Sequence, residues 1–160
     1  MKFAPIPDDE AERIADLKAL NILDTPRERR FDNLTELVAD VFEVPMVFLT
    51  MVDTDRQWYK STSGIDVEST PRNVSFCAHA IVEPEAMVVP NAAEDSRFAD
   101  NPFVTGDFHL RFYAGVPLHG RNGKAIGALG LVDREPRDFS PKQVGQLKKF
   151  GALLENEIQR

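Results

Sequence analysis

Residues 110–133 read LRFYAGVPLHGRNGKAIGALGLVD. Two apolar runs, 110–118 and 125–132, flank Asn122-Gly123, the dipeptide best suited to the left-handed dihedrals of a tight hairpin turn. Pro117 has no N–H for a ladder bond, which predicts a bulge or an edge at that point. Gly127 and Gly130 present no side chain, so another group can approach the backbone closely there. A sheet hairpin bracketed by helical periodicity before and after it points to an α+β layout.

The strand signal continues upstream of this hairpin. Residues 45–52 are apolar on both alternating faces, with Met46, Phe48 and Val52 on one and Val47, Leu49 and Met51 on the other. That pattern predicts a central strand covered on both sides. Asp53-Thr54-Asp55 predicts a turn, 56–63 a half-exposed partner strand carrying Trp58 and Tyr59, and 86–89 a short strand. Ala11, Ile14, Ala15, Leu17 and Leu20 predict an amphipathic helix over 8–21. Thr25-Pro26-Arg27-Glu28 has the form of a capping box with Pro at the first helical position. Phe31, Leu34, Leu37, Val38, Val41 and Phe42 follow at three- and four-residue spacing, and Pro45 closes that second helix. Ser140-Pro141-Lys142-Gln143 repeats the start signal for a C-terminal helix. The middle, 64–109, has little periodicity. Ser75 is placed to cap a short helix from Phe76 to Ile81, and 95–107 reads as an ordered loop; long irregular stretches within a domain are usually functional.

The 160 residues suit one domain, divided here into an N-terminal helical extension (1–24) and a core (25–160). The chain is 42% hydrophobic and 28% charged, ordinary for a globular protein. A net charge of −7 opposes nucleic acid and anionic membrane as partners. The acidic N-terminus lacks a hydrophobic signal core, so the expected location is cytoplasmic. Cys77 is the single cysteine, which excludes an internal disulfide.

Six segments together carry a family resemblance. They are Ile22-Leu23-Asp24-Thr25-Pro26 with Phe31-Asp32, Asp53-Thr54-Asp55-Arg56-Gln57-Trp58, and Phe76-Cys77-Ala78-His79-Ala80-Ile81. Downstream come Asp95-Ser96-Arg97-Phe98 with Asn101-Pro102, residues 111–118, and Ile126-Gly127 with Asp133. In this order the chain resembles the GAF domains found N-terminal in bacterial sensor kinases and diguanylate cyclases. The resemblance implies a PAS-like, six-stranded antiparallel sheet. The terminal helices would pack on one face and irregular connections would cover the other. It also implies a ligand cavity between sheet and connections, and homodimerisation through the terminal helices. The chain departs from the family at Gly130, where relatives often carry cysteine. It also lacks the Asn-Lys-Phe-Asp-Glu signature of cyclic-nucleotide-binding members.

On this reading the cavity is lined by Trp58, Phe76, Cys77, His79, Phe98, Asn101, Arg111 and Tyr113, apolar with a few placed polar groups. The free N–H groups after Ser75 would favour an anionic ligand group, with Arg97 or Arg111 as countercharge. Equally, these aromatics could be core and the arginines could pair with Asp95, Asp100 or Asp133. Redox chemistry at Cys77 is a further reading. Reductases of the GAF type need a resolving cysteine that is absent, and Ala78 stands where bilin-binding relatives place histidine. His79, His109 and His119 show no metal-ligand spacing. In the last helix Val144, Leu147, Gly151, Leu154 and Ile158 form a heptad seam. With Ile14 and Leu17 it makes the expected dimer interface, or else a wide stripe buried within the chain. The expectation is a non-enzymatic regulatory sensor with no cofactor and an unknown small-molecule ligand. A signalling output domain or partner protein would be a further partner, and the alternative is a ligand-free dimerisation or protein-interaction module.

Overall fold

Asn122-Gly123 does form the expected turn: Gly123 has φ +79°, and the Gly123 N–H donates to the Gly120 carbonyl. In the computed structural model, which describes residues 1–160, the turn joins two long strands, 112–119 and 125–133. The element order is α1 (Glu10–Ala19), α2 (Arg29–Phe42), β1 (Met46–Val52), β2 (Arg56–Ser63), β3 (Ser69–Pro71), α3 (Phe76–Ala80), β4 (Met87–Val89), α4 (Pro102–Thr105), β5 (Phe112–His119), β6 (Ala125–Asp133) and α5 (Pro141–Ile158). Single 3₁₀ turns at Arg72–Val74 and Ala92–Glu94 punctuate the middle. The strands form one antiparallel sheet in the order β3-β2-β1-β6-β5-β4. This is the six-stranded α+β architecture expected from the sequence.

Strand β1 lies inside the sheet and is buried at all seven positions, as its two apolar faces require. Pro117 pairs with Ala128 but lies beyond the β4 register, which spans only Tyr113–Gly115 on that side. Its missing N–H therefore costs no ladder bond. Gly127 is where β1 comes closest: a Cβ there would sit 2.0 Å from the Thr50 carbonyl oxygen. Opposite Leu49 and Thr50, the β2 register skips Lys60, a bulge that turns its ammonium toward Thr25, Pro26 and Glu28.

One face of the sheet packs on helices. Phe31, Val38 and Phe42 of α2 and Leu147, Leu154 and Ile158 of α5 bury against Val47, Leu49, Val116 and Leu131. Gly151 lets α5 approach β5, with its Cβ position 3.0 Å from Val116. The heptad seam is thus intramolecular. Leu17, Leu147, Gly151, Leu154 and Ile158 are covered by the chain itself, and Ile14 and Val144 are half-buried. The wide apolar stripe is used up on the sheet face. Ser140 caps α5 with the full reciprocal box through Gln143. The box expected at Thr25 does not form; α2 begins at Arg29, because the Thr25 hydroxyl instead donates to the Ile22 carbonyl and accepts from Lys60.

Helix α1 attaches differently from the apolar stripe expected of it. Its buried residues are Arg13, Asp16 and Leu17. Arg13 donates to the Val52 and Ala125 carbonyls, and Asp16 accepts from the Asn122 and Lys124 N–H groups. Glu10 bridges Arg13 and Arg72, the latter in the 3₁₀ turn ahead of α3. Burial raises the Glu10 pKa, but hydrogen bonds from both guanidiniums outweigh it and bring it down to about 2.

Candidate ligand cavity

The second core lies on the opposite face, between the sheet and the 64–110 connections. It is not filled. A cavity of about 290 Å³ opens over the sheet between β2, β5 and the middle connections, near the lower end of the range for small-molecule sites. Phe48, Tyr59, Tyr113 and Val132 line it from the strands, and Phe76 and Cys77 from α3. Ile65 and Val67 reach in from the β2–β3 connection, and Phe103, Phe108 and Leu110 from α4 and the loop after it.

Each floor residue is there for a local reason. Strand alternation turns Gln57 and Tyr59 toward this face. Tyr113 lies over two facing glycines: a Cβ on Gly115 would sit 2.2 Å from its hydroxyl, and one on Gly130 3.1 Å from its ring. The room left by these glycines is occupied by the Tyr113 ring, which donates its hydroxyl hydrogen to Cys77 Sγ at 3.2 Å. The remaining polar groups bond each other. Gln57 Nε2 donates to the Tyr59 hydroxyl at 2.9 Å, Tyr59 lies 3.2 Å from Thr70 Oγ1, and Ser75 donates to Gln57 Oε1. Burial pushes the Cys77 thiol up, and burial beside Cys77 does the same to the Tyr113 phenol. Both stay neutral at physiological pH.

Of the eight residues expected to line the cavity, Phe76, Cys77 and Tyr113 do so. Trp58 does not: alternation sends it to the helix-side core. Phe98 stacks behind Phe76 at 4.0 Å, one layer removed. His79 meets Phe98 edge-on at 4.8 Å with Nε2 3.2 Å from the Lys2 carbonyl oxygen, and burial lowers its pKa. Asn101 caps α4 by accepting from Phe103 N–H and donates to the Val74 carbonyl. Arg111 donates to the Val104 and Leu110 carbonyls, and Arg97 pairs with Asp95. These polar side chains hold irregular backbone that has no ladder partners of its own. The anion site expected after Ser75 is absent as well, since α3 has five residues and Ser75 Oγ itself accepts from the Ala78 N–H. Sequence reasoning missed Phe48, Gln57 and Tyr59, which strand parity places on one face without saying that it is the cavity face. It also missed Ile65, Val67, Phe103 and Phe108, which carry no periodic signal. No three His, Cys, Asp or Glu side chains converge as a metal set, and no helix is long and apolar enough to cross a membrane.

A six-stranded antiparallel sheet with helices on one face and a looped cavity on the other defines a PAS-like α+β module. Comparison with known proteins gives the family. The GAF domain family matches residues 26–158, and the chain belongs to it. Over 155 residues the chain is 36% identical to a cyclic di-GMP phosphodiesterase of Pseudomonas aeruginosa, covering 96% of this chain and 26% of that protein. The chain thus spans about a quarter of that relative's length. Among solved structures, the GAF domain of an Acinetobacter phosphoenolpyruvate-protein phosphotransferase superposes with TM-score 0.66 at 20% identity, covering 92% of each chain. The free methionine-R-sulfoxide reductase of Neisseria meningitidis superposes with TM-score 0.67 at 18% identity, covering 99% of this chain and 95% of that one. At such identities the structures establish the fold alone. The expectation that the chain is not an enzyme is corrected by these comparisons. The curated relative is named as a phosphodiesterase, and several solved neighbours are methionine sulfoxide reductases. GAF domains commonly serve as signalling sensors.

Proposed function

We propose that the chain is a regulatory sensor module of cyclic-dinucleotide signalling. A small ligand occupies the cavity between the sheet and the middle connections, and its occupancy is passed to the terminal helices and so to phosphodiesterase activity. The cavity carries this reading: it is apolar, partly walled by loops, and unfilled by the chain's own side chains. The relative named as a cyclic di-GMP phosphodiesterase supports the signalling context. The cyclic dinucleotide itself fits the cavity poorly, because none of the fifteen lining residues is basic and the ligand would bring two phosphates. Binding can shift the helices only by the difference in affinity between two states. Ile65, Val67 and Phe108, half-buried on loops, and Phe103, half-buried on the short helix α4, are the side chains a ligand would order.

Native mass spectrometry of the purified protein, before and after denaturation, tests this. The expected result is a small non-covalent adduct that denaturation releases and that Val132→Trp, which fills the cavity, removes. A clean protein with no thermal shift across a metabolite panel would favour a ligand-free association module instead. One observation supports self-association in either case: Leu37, Val41 and Leu153, on α2 and α5, are 46–50% exposed. They replace the seam residues, which the chain itself buries.

A further inference from the structure

The lining is rich in aromatic side chains and carries a single charge. Six of its fifteen residues are aromatic: Phe48, Tyr59, Phe76, Phe103, Phe108 and Tyr113. They meet in pairs around the space. Phe48 and Tyr59 stand edge to face at 5.2 Å, Phe103 and Phe108 at 6.0 Å, and Phe76 and Tyr113 are tilted at 5.4 Å. One of these rings already takes a cation: the Arg134 guanidinium lies 4.9 Å from the Phe108 ring centroid. The single charged lining residue is Asp66, exposed between Ile65 and Val67.

Most polar groups of the lining bond each other. Gln57 donates to Tyr59, Ser75 to Gln57, and Tyr113 to Cys77. An anionic ligand would meet no basic side chain in the lining, in a chain whose net charge is −7. A cationic ligand would meet six aromatic rings, one carboxylate and a favourable overall field.

Resting on the sensor reading above, we propose that the cavity selects a small organic cation of the quaternary-ammonium or alkylamine class. The cationic head lies among the rings, and Asp66 supplies the countercharge at the mouth. Ring faces attract such a head because its positive charge is spread over methyl groups that cost little to desolvate.

Isothermal titration calorimetry with choline chloride and with its uncharged isostere, 3,3-dimethylbutan-1-ol, tests the charge directly at matched ionic strength. The two probes share shape and apolar area and differ by one charge. The expected result is about tenfold tighter binding of choline than of the isostere. Asp66→Asn, an exposed change that leaves the core intact, is expected to weaken choline several-fold and leave the isostere unchanged. Equal or tighter binding of the isostere overturns the cation preference and leaves the sensor reading standing. So does failure of both probes alongside a retained adduct of another class. Failure of both probes with no adduct at all removes both proposals.

Discussion

Glu10→Gln isolates the ion cluster that fastens α1. In the folded chain Glu10 receives both Arg13 and Arg72, guanidiniums that are almost wholly buried, while Glu10 itself is 23% exposed. Its pKa falls from 4.5 to about 2. At about 1.4 kcal/mol per unit this corresponds to about 3 kcal/mol of stability held by the ionised form. A depressed carboxylate pKa gives stabilisation that is complete above the unfolded value and is lost as pH falls through the folded one. The window therefore runs from about pH 4.5 down to about pH 2. Gln matches the protonated carboxyl in shape and cannot ionise. Urea unfolding of wild type and Glu10→Gln at several pH values should give a gap of about 3 kcal/mol at pH 7, narrowing below pH 4.5 and nearly closed at pH 2. Other carboxylates titrate in both proteins and cancel in the difference. A gap under about 1 kcal/mol at pH 7, or one that does not change with pH, would refute the reasoning.

Gly115→Ala places a Cβ against the Tyr113 hydroxyl and should cost about 1–3 kcal/mol in urea unfolding. Adding Tyr113→Phe removes the atom met first and should recover part of that loss, whereas a neutral Gly115→Ala would mean the ring is not held over the strand. Cys77 is 1% exposed with its thiol pushed up by burial, so at pH 7 it should react with an aromatic disulfide reagent roughly a hundredfold more slowly than in urea. Rapid reaction of the native protein would show that the cavity admits the reagent.

The scaffold was legible where one periodicity dominates. Residues 46–52 are apolar in both parities and became the buried strand β1; Asn122-Gly123 became a turn; Ser140 to Gln143 became a capping box. The cavity was harder to read because its residues come from elements whose facing is decided in three dimensions. Trp58 and Tyr59 are adjacent in one strand, and nothing local says which of the two sheet faces the helices will take. Ile65 and Val67 alternate over too few residues to signal a strand, and β3 has only three. Asn101 and Arg111 looked like ligand contacts since they are polar among aromatics, yet their bonds go to the carbonyls of irregular backbone. Arg13 and Asp16 break the apolar stripe of α1 in the sequence. Apart from Glu10, three residues before Arg13, their partners lie 39 to 112 residues away, out of reach of any pattern within the helix.

Helix α1 is seated by direction as much as by apolar contact. A greasy stripe loses its hold gradually as a helix slides, but bonds from Arg13 to two fixed carbonyls and from two fixed N–H groups to Asp16 have one geometry that satisfies them. Leu17 is the single apolar side chain of α1 that is fully buried. The seat therefore favours one register of the helix, since a slide along its axis would break these bonds together. Its sockets are the Val52 end of β1 and the Ala125 end of β6, adjoining strands whose Phe48 and Val132 line the cavity. A strain that splayed those strands would pull the sockets apart and loosen the seat of α1.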